Sequence, residues 1–177
     1  AASDVYKRQE DIYVGYRYFE TFAKDKVLYP FGYGLSYTNF ETKAEIFKNT
    51  EDELTVAATV TNIGDVRGKE IVQVYVKAPQ GKLGNPARKL IGFAKTRELA
   101  PGEKEELVII IPKYDMASYD DSGVTGHKSC YVLEEGTYEI FAGSDVRSAK
   151  SAGIYEEELR VIEQLQDCLL YTSPSPR

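Results

Sequence analysis

The sequence predicts an all-β protein, built as an antiparallel sandwich of two sheets with about seven strands. Apolar and polar residues alternate with a period of two in successive segments, and turn-forming glycine, proline or asparagine separates those segments. Glycine, proline and β-branched residues recur in nearly every segment, which argues against a helical fold.

Each predicted strand is defined by the residues that share a face. In residues 53–61, Leu54, Val56, Ala58 and Val60 alternate with mostly polar residues, which places these four side chains on one inward face. The other predicted strands cover residues 70–77, 89–99, 105–111, 130–133, 137–142 and 155–162. This number and spacing of strands is typical of a β-sandwich.

The strand at residues 70–77 has apolar residues on both faces. Val72, Val74 and Val76 share one face, whereas Gln73 and Tyr75 lie on the other. We therefore expect this strand to be covered on one face and partly shielded on the second.

Turns and loops are predicted from residue type. NIGD at residues 62–65 and APGE at 100–103 supply turn chemistry, because proline presets φ and glycine accepts a positive φ. Residues 115–129 are polar and contain glycine, so we predict a long surface loop there.

Composition limits the class of protein. The chain has 177 residues, of which 42% are hydrophobic and 28% charged, which suits one soluble domain or one domain with a fragment of another. A net charge of -6 argues against nucleic acid as the main partner. No apolar run approaches the ~20 residues that span a bilayer, so no membrane partner is expected.

Cys130 and Cys168 are the two cysteines. A disulfide between them is possible by counting, but a domain stabilised by disulfides usually has more cysteines for its size. Two free thiols are the favoured interpretation, and they indicate a reducing compartment. We therefore expect a cytoplasmic location, with secretion as the alternative.

Both ends of the chain differ from the rest and are interpreted as non-native sequence. DVYKRQ at residues 4–9 and LYTSPSPR at 170–177 resemble translated sequencing-adapter sequence. A native disordered tail fits the final residues equally well. We treat residues 1–9 as non-native sequence and residues 164–177 as a tail whose last part is non-native, and we exclude both from functional reasoning.

Residues 10–38 are rich in aromatics and glycine. Residues 12–19 read as an aromatic strand, and residues 29–38 as a turn in which Gly32 and Gly34 allow close approach of the backbone. A unit of about 30 residues cannot bury so many aromatic side chains by itself. We therefore expect this segment to pack on a neighbour outside the chain.

Four groups of motifs together resemble one known family. VGYRY at residues 14–18 and PFGYGLSY at 30–37 resemble the end of the α/β sandwich domain of family 3 glycoside hydrolases. VTNIG at 60–64 with GKEIVQVYV at 68–76, KLIGF at 89–93 with LAPGE at 99–103, and GTYEIFAGS at 136–144 resemble the fibronectin type III-like domain that follows it. Each motif is weak alone, but their order and spacing make the resemblance strong over residues 10–163.

The resemblance implies a domain organisation. Residues 10–38 would be the C-terminal remnant of the α/β sandwich domain, and residues 39–163 the fibronectin type III-like domain. The parent protein would hydrolyse terminal β-linked sugars, of the β-glucosidase or β-xylosidase type, with retention of configuration. Its own catalytic domains and a glycoside substrate would be the partners, and the oligomeric state stays open. Some members place the barrel after this domain, and residues 161–169 look like the start of a helix leading into it.

No catalytic residue is assigned. The family's nucleophile is an aspartate of the barrel, commonly followed by tryptophan, and this chain has no tryptophan. The acid/base glutamate comes from an earlier loop, and Asp145 lies after the last hairpin motif. The acidic pairs and runs at residues 134–135 and 156–158 are interpreted as a solvated turn and a charged strand face. The chain alone is therefore predicted to be inactive, because both catalytic carboxylates are absent.

No metal or cofactor site is assigned either. His127 is the only histidine and is interpreted as a solvated loop residue, since a zinc site would lack ligands. Arg17 is interpreted as a stacked or paired structural arginine. Tyr75, Tyr138 and Tyr155 fall in predicted strands, where packing explains them better than sugar stacking.

Other functions remain open. The chain could be a free-standing fibronectin-like module that binds carbohydrate or protein, or a structural cell-surface domain. The predicted loop at residues 115–129 could line the substrate cleft or a domain interface of the parent enzyme. In the first case, deleting the loop should change kcat or KM.

Overall fold

The computed structural model describes residues 12–166, and all elements below lie in that range. One short helix, α1 (Tyr16–Phe22), precedes the strands, and 3-10 helices lie at Lys24–Lys26 and Lys113–Met116. The ten strands are β1 (Phe40–Asn49), β2 (Glu53–Asn62), β3 (Ile71–Lys77), β4 (Lys89–Lys95), β5 (Lys104–Pro112), β6 (Ser118–Asp120), β7 (Cys130–Leu133), β8 (Gly136–Gly143), β9 (Lys150–Glu157) and β10 (Arg160–Gln164).

Seven of these strands form a sandwich of two antiparallel sheets. One sheet has the order β1-β2-β5, and the sheet that faces it has the order β4-β3-β8-β9. The other three strands form a small sheet in the order β10-β7-β6. The predicted fold class is confirmed, although the prediction omitted β1 and counted β7 in its place.

Strand β1 carries an alternation of its own. Phe40, Ala44 and Ile46 pack against the core, while the alternate side chains of Glu41, Lys43 and Glu45 are charged and exposed. Ile46 pairs directly with Val56 of β2. The inward residues of β1 are therefore the cross-strand neighbours of the inward residues of β2.

The predicted inner faces form the hydrophobic core. Leu54, Val56 and Val60 on β2 and Val72 and Val74 on β3 are completely buried. Each such side chain contributes about 1.5–3 kcal/mol relative to an exposed one. The faces predicted for residues 53–61 and 70–77 are thus confirmed.

Asn62 fixes the turn that follows β2. Its side-chain nitrogen donates to the carbonyl oxygens of Val66 at 2.8 Å and Leu99 at 2.9 Å. Its side-chain oxygen accepts from the amide of Gly64 at 3.1 Å and the hydroxyl of Thr38 at 2.7 Å. One buried amide therefore joins the segment before β1 to two turns of the sandwich.

The strand predicted at residues 12–19 is wrong, because these residues lead into helix α1. Gly15 adopts φ of +57° directly before the helix, which interrupts an extended chain. Tyr16, Glu20 and Ala23, which directly follows the helix, have the helical spacing i, i+4, i+7. Glu20 and Ala23 are buried. A charged residue on the buried face hid this period in the sequence.

The long surface loop predicted at residues 115–129 is only partly present. The 3-10 helix ends inside this stretch, and β6 then pairs with β7. Residues 121–128 are mostly exposed and contain two glycines with positive φ, as expected of a surface loop. The remainder is part of the fold because Met116 and Ala117 join the hydrophobic core.

Asp120 shapes the exposed part of this loop. It is completely buried, and its carboxylate accepts hydrogen bonds from the amide of Gly123 at 2.6 Å and the hydroxyl of Thr125 at 2.6 Å. The amides of Val124 and Thr125 and the hydroxyl of Ser122 also donate to it. A buried carboxylate with this many donors holds the loop in one conformation.

The helix predicted to begin at residues 161–169 is wrong in its described part. Residues 160–164 form β10, which pairs antiparallel with β7, and Ile162 packs against the core. The strand predicted at residues 155–162 is accordingly divided between β9 and β10. Cys168, residues 1–11 and the rest of the tail from residue 167 lie outside the described residues. No helix in residues 12–166 is long and apolar enough to cross a membrane.

Candidate docking surface

Residues 12–38 pack on the sandwich by covering the outer face of β3. The ring of Tyr16 stacks on Phe31 at 4.2 Å between centroids and meets the ring of Tyr75 edge-on at 6.4 Å. Tyr75 is completely buried, in a second small cluster with Phe141 and Val146. The second face of β3 is thus shielded as predicted, and the shield is the aromatic segment itself.

Hydrogen bonds hold this segment in register with the sheet. The amide of Leu90 donates to the hydroxyl of Tyr16 at 2.8 Å, and the amide of Val146 donates to the carbonyl of Phe31 at 3.0 Å. The Tyr75 hydroxyl donates to the side-chain oxygen of Gln73 at 2.5 Å. Burial, followed by the charges and the Tyr16 hydroxyl nearby, raises the pKa of Tyr75 far above its ordinary value. Tyr75 therefore stays a neutral donor at any pH of interest.

An ion pair fastens helix α1 to the turn after β8. The Glu20 side chain is only 2% exposed and accepts from the guanidinium of Arg147 at 2.9 Å. Arg147 also donates to the carbonyl of Lys24 at 2.8 Å. Asp145 shapes the same turn, because its carboxylate accepts from the amides of Arg147 and Ser148. The sequence does not predict this pair, since no local pattern connects residues 127 positions apart.

The same segment also exposes many large apolar side chains. Eleven of the 24 exposed large hydrophobic side chains in the described residues lie here, and Leu28, Leu35 and Tyr37 are at least 90% exposed. We call this set the docking surface. Its members are Ile12, Val14, Tyr18, Phe19, Phe22, Leu28, Tyr29, Phe31, Tyr33, Leu35 and Tyr37. A concentration of this kind marks an interaction site rather than ordinary surface.

Arg17 lies on helix α1, next to Tyr18 of the docking surface. It lines a cavity of about 400 Å³ together with Lys89, Asp115, Tyr114 and Tyr131. Within residues 12–166 its guanidinium has no hydrogen bond, ion pair or ring contact. The stacking or pairing of Arg17 therefore stays a prediction.

The acidic runs are partly structural. Glu134 is buried, and its carboxylate accepts from the amides of Lys82 at 2.6 Å and Leu83 at 3.3 Å. Glu157 pairs with the buried ammonium of Lys113 at 2.6 Å. The prediction of solvated side chains is wrong for these two residues, because each compensates a group that burial would otherwise leave unpaired. Glu135, Glu156 and Glu158 are exposed.

The other candidate residues are His127, two strand tyrosines and Cys130. His127 is exposed in the loop after β6, as predicted. Tyr138 is buried and stacks on Tyr155 with centroids 5.5 Å apart, so packing explains both rings. Cys130 is a buried free thiol. Among residues 12–166, no group of three or more His, Cys, Asp and Glu side chains is placed to hold a metal ion.

Comparison with known proteins shows a matching domain and a set of longer relatives. Residues 70–146 match the family model of the fibronectin type III-like domain. The chain is 53% identical over 175 residues to a β-glucosidase of Ruminococcus albus, covering 98% of this chain and 18% of that protein.

Solved structures agree with this relationship. A β-glucosidase from Paenibacillus barengoltzii superposes with a TM-score of 0.84 and 52% identity, over 90% of this chain and 18% of that one. A GH3 β-glucosidase from Bifidobacterium adolescentis gives a TM-score of 0.70 and 29% identity, over 92% and 23%. The chain therefore spans less than a quarter of the proteins that it matches. By sequence and by fold the chain is similar to a segment of family 3 β-glucosidases, and residues 70–146 of that segment match the fibronectin type III-like domain.

Proposed function

We propose that this chain is the accessory region of a retaining glycoside hydrolase and that it stabilises the catalytic domains by docking on them. The main support is the docking surface, whose large apolar side chains are exposed. The segment that carries them is held on the sandwich by a hydrogen bond to Tyr16 and by the Glu20–Arg147 ion pair. An anchored apolar face is suited to transmit stability from one domain to another.

The occupant we propose is the remainder of the same polypeptide. In the Ruminococcus albus relative, the residues that match this chain make up 18% of the protein, and they belong to the same polypeptide as the remaining four-fifths. Leu28, Leu35 and Tyr37 are almost completely exposed, and burying a side chain of this size contributes about 1.5–3 kcal/mol. Three such residues supply enough free energy for a stable contact between domains.

We also propose the activity of the parent protein. Its relatives are named β-glucosidases, which supports hydrolysis of terminal β-linked sugars. The two carboxyl groups that such a reaction needs would come from the parts outside this chain. Residues 10–38 would then be the end of the α/β sandwich domain, and residues 39–163 the accessory domain. A cytoplasmic location remains a prediction.

Hydrolysis of an aryl β-glucoside tests the assignment. We expect no turnover by the purified 177-residue chain and clear turnover by the parent protein. Turnover by the chain at a rate near that of the parent would contradict the proposal.

Replacement of Leu28, Leu35 and Tyr37 by serine in the parent tests the docking. We expect the temperature of half-inactivation to fall by several degrees. The matched control replaces Phe47, Val108 and Ile110, which are 60–70% exposed on the β1-β2-β5 sheet, and should have little effect. Equal effects from both sets would contradict docking through residues 12–38.

A free-standing binding module is the second candidate. The exposed aromatic rings favour it, since Tyr29 and Tyr33 lie 5.3 Å apart on the docking surface. A pull-down of the chain on insoluble glucan or xylan separates the two proposals. Retention on the polysaccharide that Tyr29→Ala abolishes would favour the binding module.

A further inference from the structure

The cavity lined by Arg17 and Lys89 has more cationic than acidic side chains in its lining. Lys89 is half-buried, and its ammonium donates to the carbonyl of Ala117 at 3.2 Å. The backbone of Arg17 is hydrogen-bonded to Val14 and Thr21, but its guanidinium has no polar partner within residues 12–166. Asp115, which is exposed, is the one acidic residue among those lining the cavity, and Glu163 lies against Tyr114 instead. Two cations therefore face one acid, in a chain whose net charge is -6.

This arrangement is unfavourable in the chain by itself. Burial and the nearby guanidinium of Arg17 lower the pKa of Lys89 to about 8, and Asp115 opposes the change. A half-buried ammonium beside a second cation is stabilised when a carboxylate enters. Arginine accepts a carboxylate through two parallel hydrogen bonds, and lysine binds it as a compact charge.

The cavity also continues the docking surface. Arg17 lies on α1, between the inward-facing Tyr16 and the exposed Tyr18. Val14, two residues before α1, is exposed as well. A partner that covers Val14 and Tyr18 therefore lies next to Arg17 along the chain, which is the residue of α1 that lines the cavity.

We infer that the cavity between helix α1, strand β4 and residues 114–117 receives an aspartate or glutamate side chain from the part of the protein that docks on this chain. The inference rests on the proposed docking function and adds a charged anchor to its apolar contact. Charge pairing of this kind sets the register of an interface.

Carbodiimide crosslinking of the parent protein tests the inference, because this reagent condenses a carboxylate with an amine that touches it. We expect mass spectrometry to find Lys89 joined to an aspartate or glutamate outside residues 1–177. Lys95, an exposed lysine on the same strand, is the matched control and should not form that link. The absence of a link from Lys89, or a link to Asp115 alone, would overturn the inference.

Arg17→Gln gives a second readout, since its effect should change sign with the context. In the 177-residue chain it removes repulsion on Lys89, and Tm should stay equal or rise. In the parent it removes the anchor, and Tm should fall by about 2–4 °C. The same direction in both proteins would overturn the inference.

Three further outcomes separate the possible failures. If serine substitutions on the docking surface leave the parent unchanged, the docking proposal itself fails. If they destabilise it while Arg17→Gln does not, only the carboxylate anchor fails. If glucuronate raises the Tm of the chain, loses that effect with Arg17→Gln, and no crosslink forms in the parent, the cavity binds a free sugar acid and the inference is overturned.

Discussion

At the scale of single residues, Glu20 and Arg147 decide whether helix α1 stays on the sandwich. Arg147→Ala leaves the carboxylate of Glu20 buried, with the ammonium of Lys24 at 3.9 Å as the remaining cation. Removing one partner of a fully buried pair costs ~3–5 kcal/mol. We expect about 2 kcal/mol here, because Arg147 is one-third exposed and solvent screens it.

Urea unfolding of the chain measures this loss. The control is Arg67→Ala, which breaks a surface pair with Glu98 whose side chains are both more than half exposed. That change should cost less than about 0.5 kcal/mol. Equal losses for the two variants would show that the α1 contact does not stabilise the chain.

Asp120 gives a prediction about pH. Burial disfavours its charge, but the hydrogen bonds from residues 123–125 outweigh burial and hold its pKa well below the ordinary value. A carboxyl group with a lowered folded pKa contributes stability that is present above its unfolded pKa, ~3.9, and is lost as pH falls through the folded pKa.

Thermal unfolding between pH 7 and pH 2 tests this dependence. The Tm advantage of the wild type over Asp120→Asn should be constant at neutral pH and shrink below about pH 4. Asp121→Asn, at the exposed neighbouring position, should follow the wild type. A constant difference between wild type and Asp120→Asn down to pH 2 would contradict the assigned role.

At the scale of elements, helix α1 has two faces with different tasks. Tyr16 packs on the sheet, whereas Tyr18 belongs to the docking surface. In the isolated chain, Tyr16→Ala should cost about 2–3 kcal/mol, somewhat below the loss for a fully buried aromatic residue. Tyr16→Phe should cost about 1 kcal/mol, because the amide of Leu90 loses its acceptor.

Tyr18→Ala is the matched variant on the outer face. It should leave the urea midpoint of the isolated chain nearly unchanged and lower the thermal stability of the parent. If Tyr18→Ala destabilised the isolated chain as much as Tyr16→Ala does, the two faces of the helix would not have separate tasks.

Sequence patterns predicted these elements unequally. The inner faces of β2 and β3 were predicted correctly because Leu54 to Val60 and Val72 to Val76 are apolar at every second position. Helix α1 was missed because Glu20 occupies its buried face, and Arg147, which neutralises it, is distant in the sequence. Glu134 and Asp120 were likewise hidden, since a buried carboxylate depends on donors that only the folded chain brings together.

At the scale of the whole molecule, the candidate site was predictable in outline. An aromatic segment too small to bury itself requires a partner, and this reasoning identified residues 10–38 without any coordinates. Which side chains of the segment pack on the sandwich and which stay exposed was not predictable. It depends on which ring reaches Tyr75 on β3, and this follows from the helix rather than from the spacing of aromatic residues.

The central claim is that the docking surface is exposed in this chain and covered in the parent protein. Hydroxyl-radical footprinting of both proteins tests it directly, with Tyr29 and Tyr37 as probes and Phe47 on β1 as the exposed reference. We predict fast oxidation of all three side chains in the isolated chain, and slow oxidation of Tyr29 and Tyr37 but not of Phe47 in the parent. Equal oxidation of Tyr29 and Tyr37 in the two proteins would contradict the account.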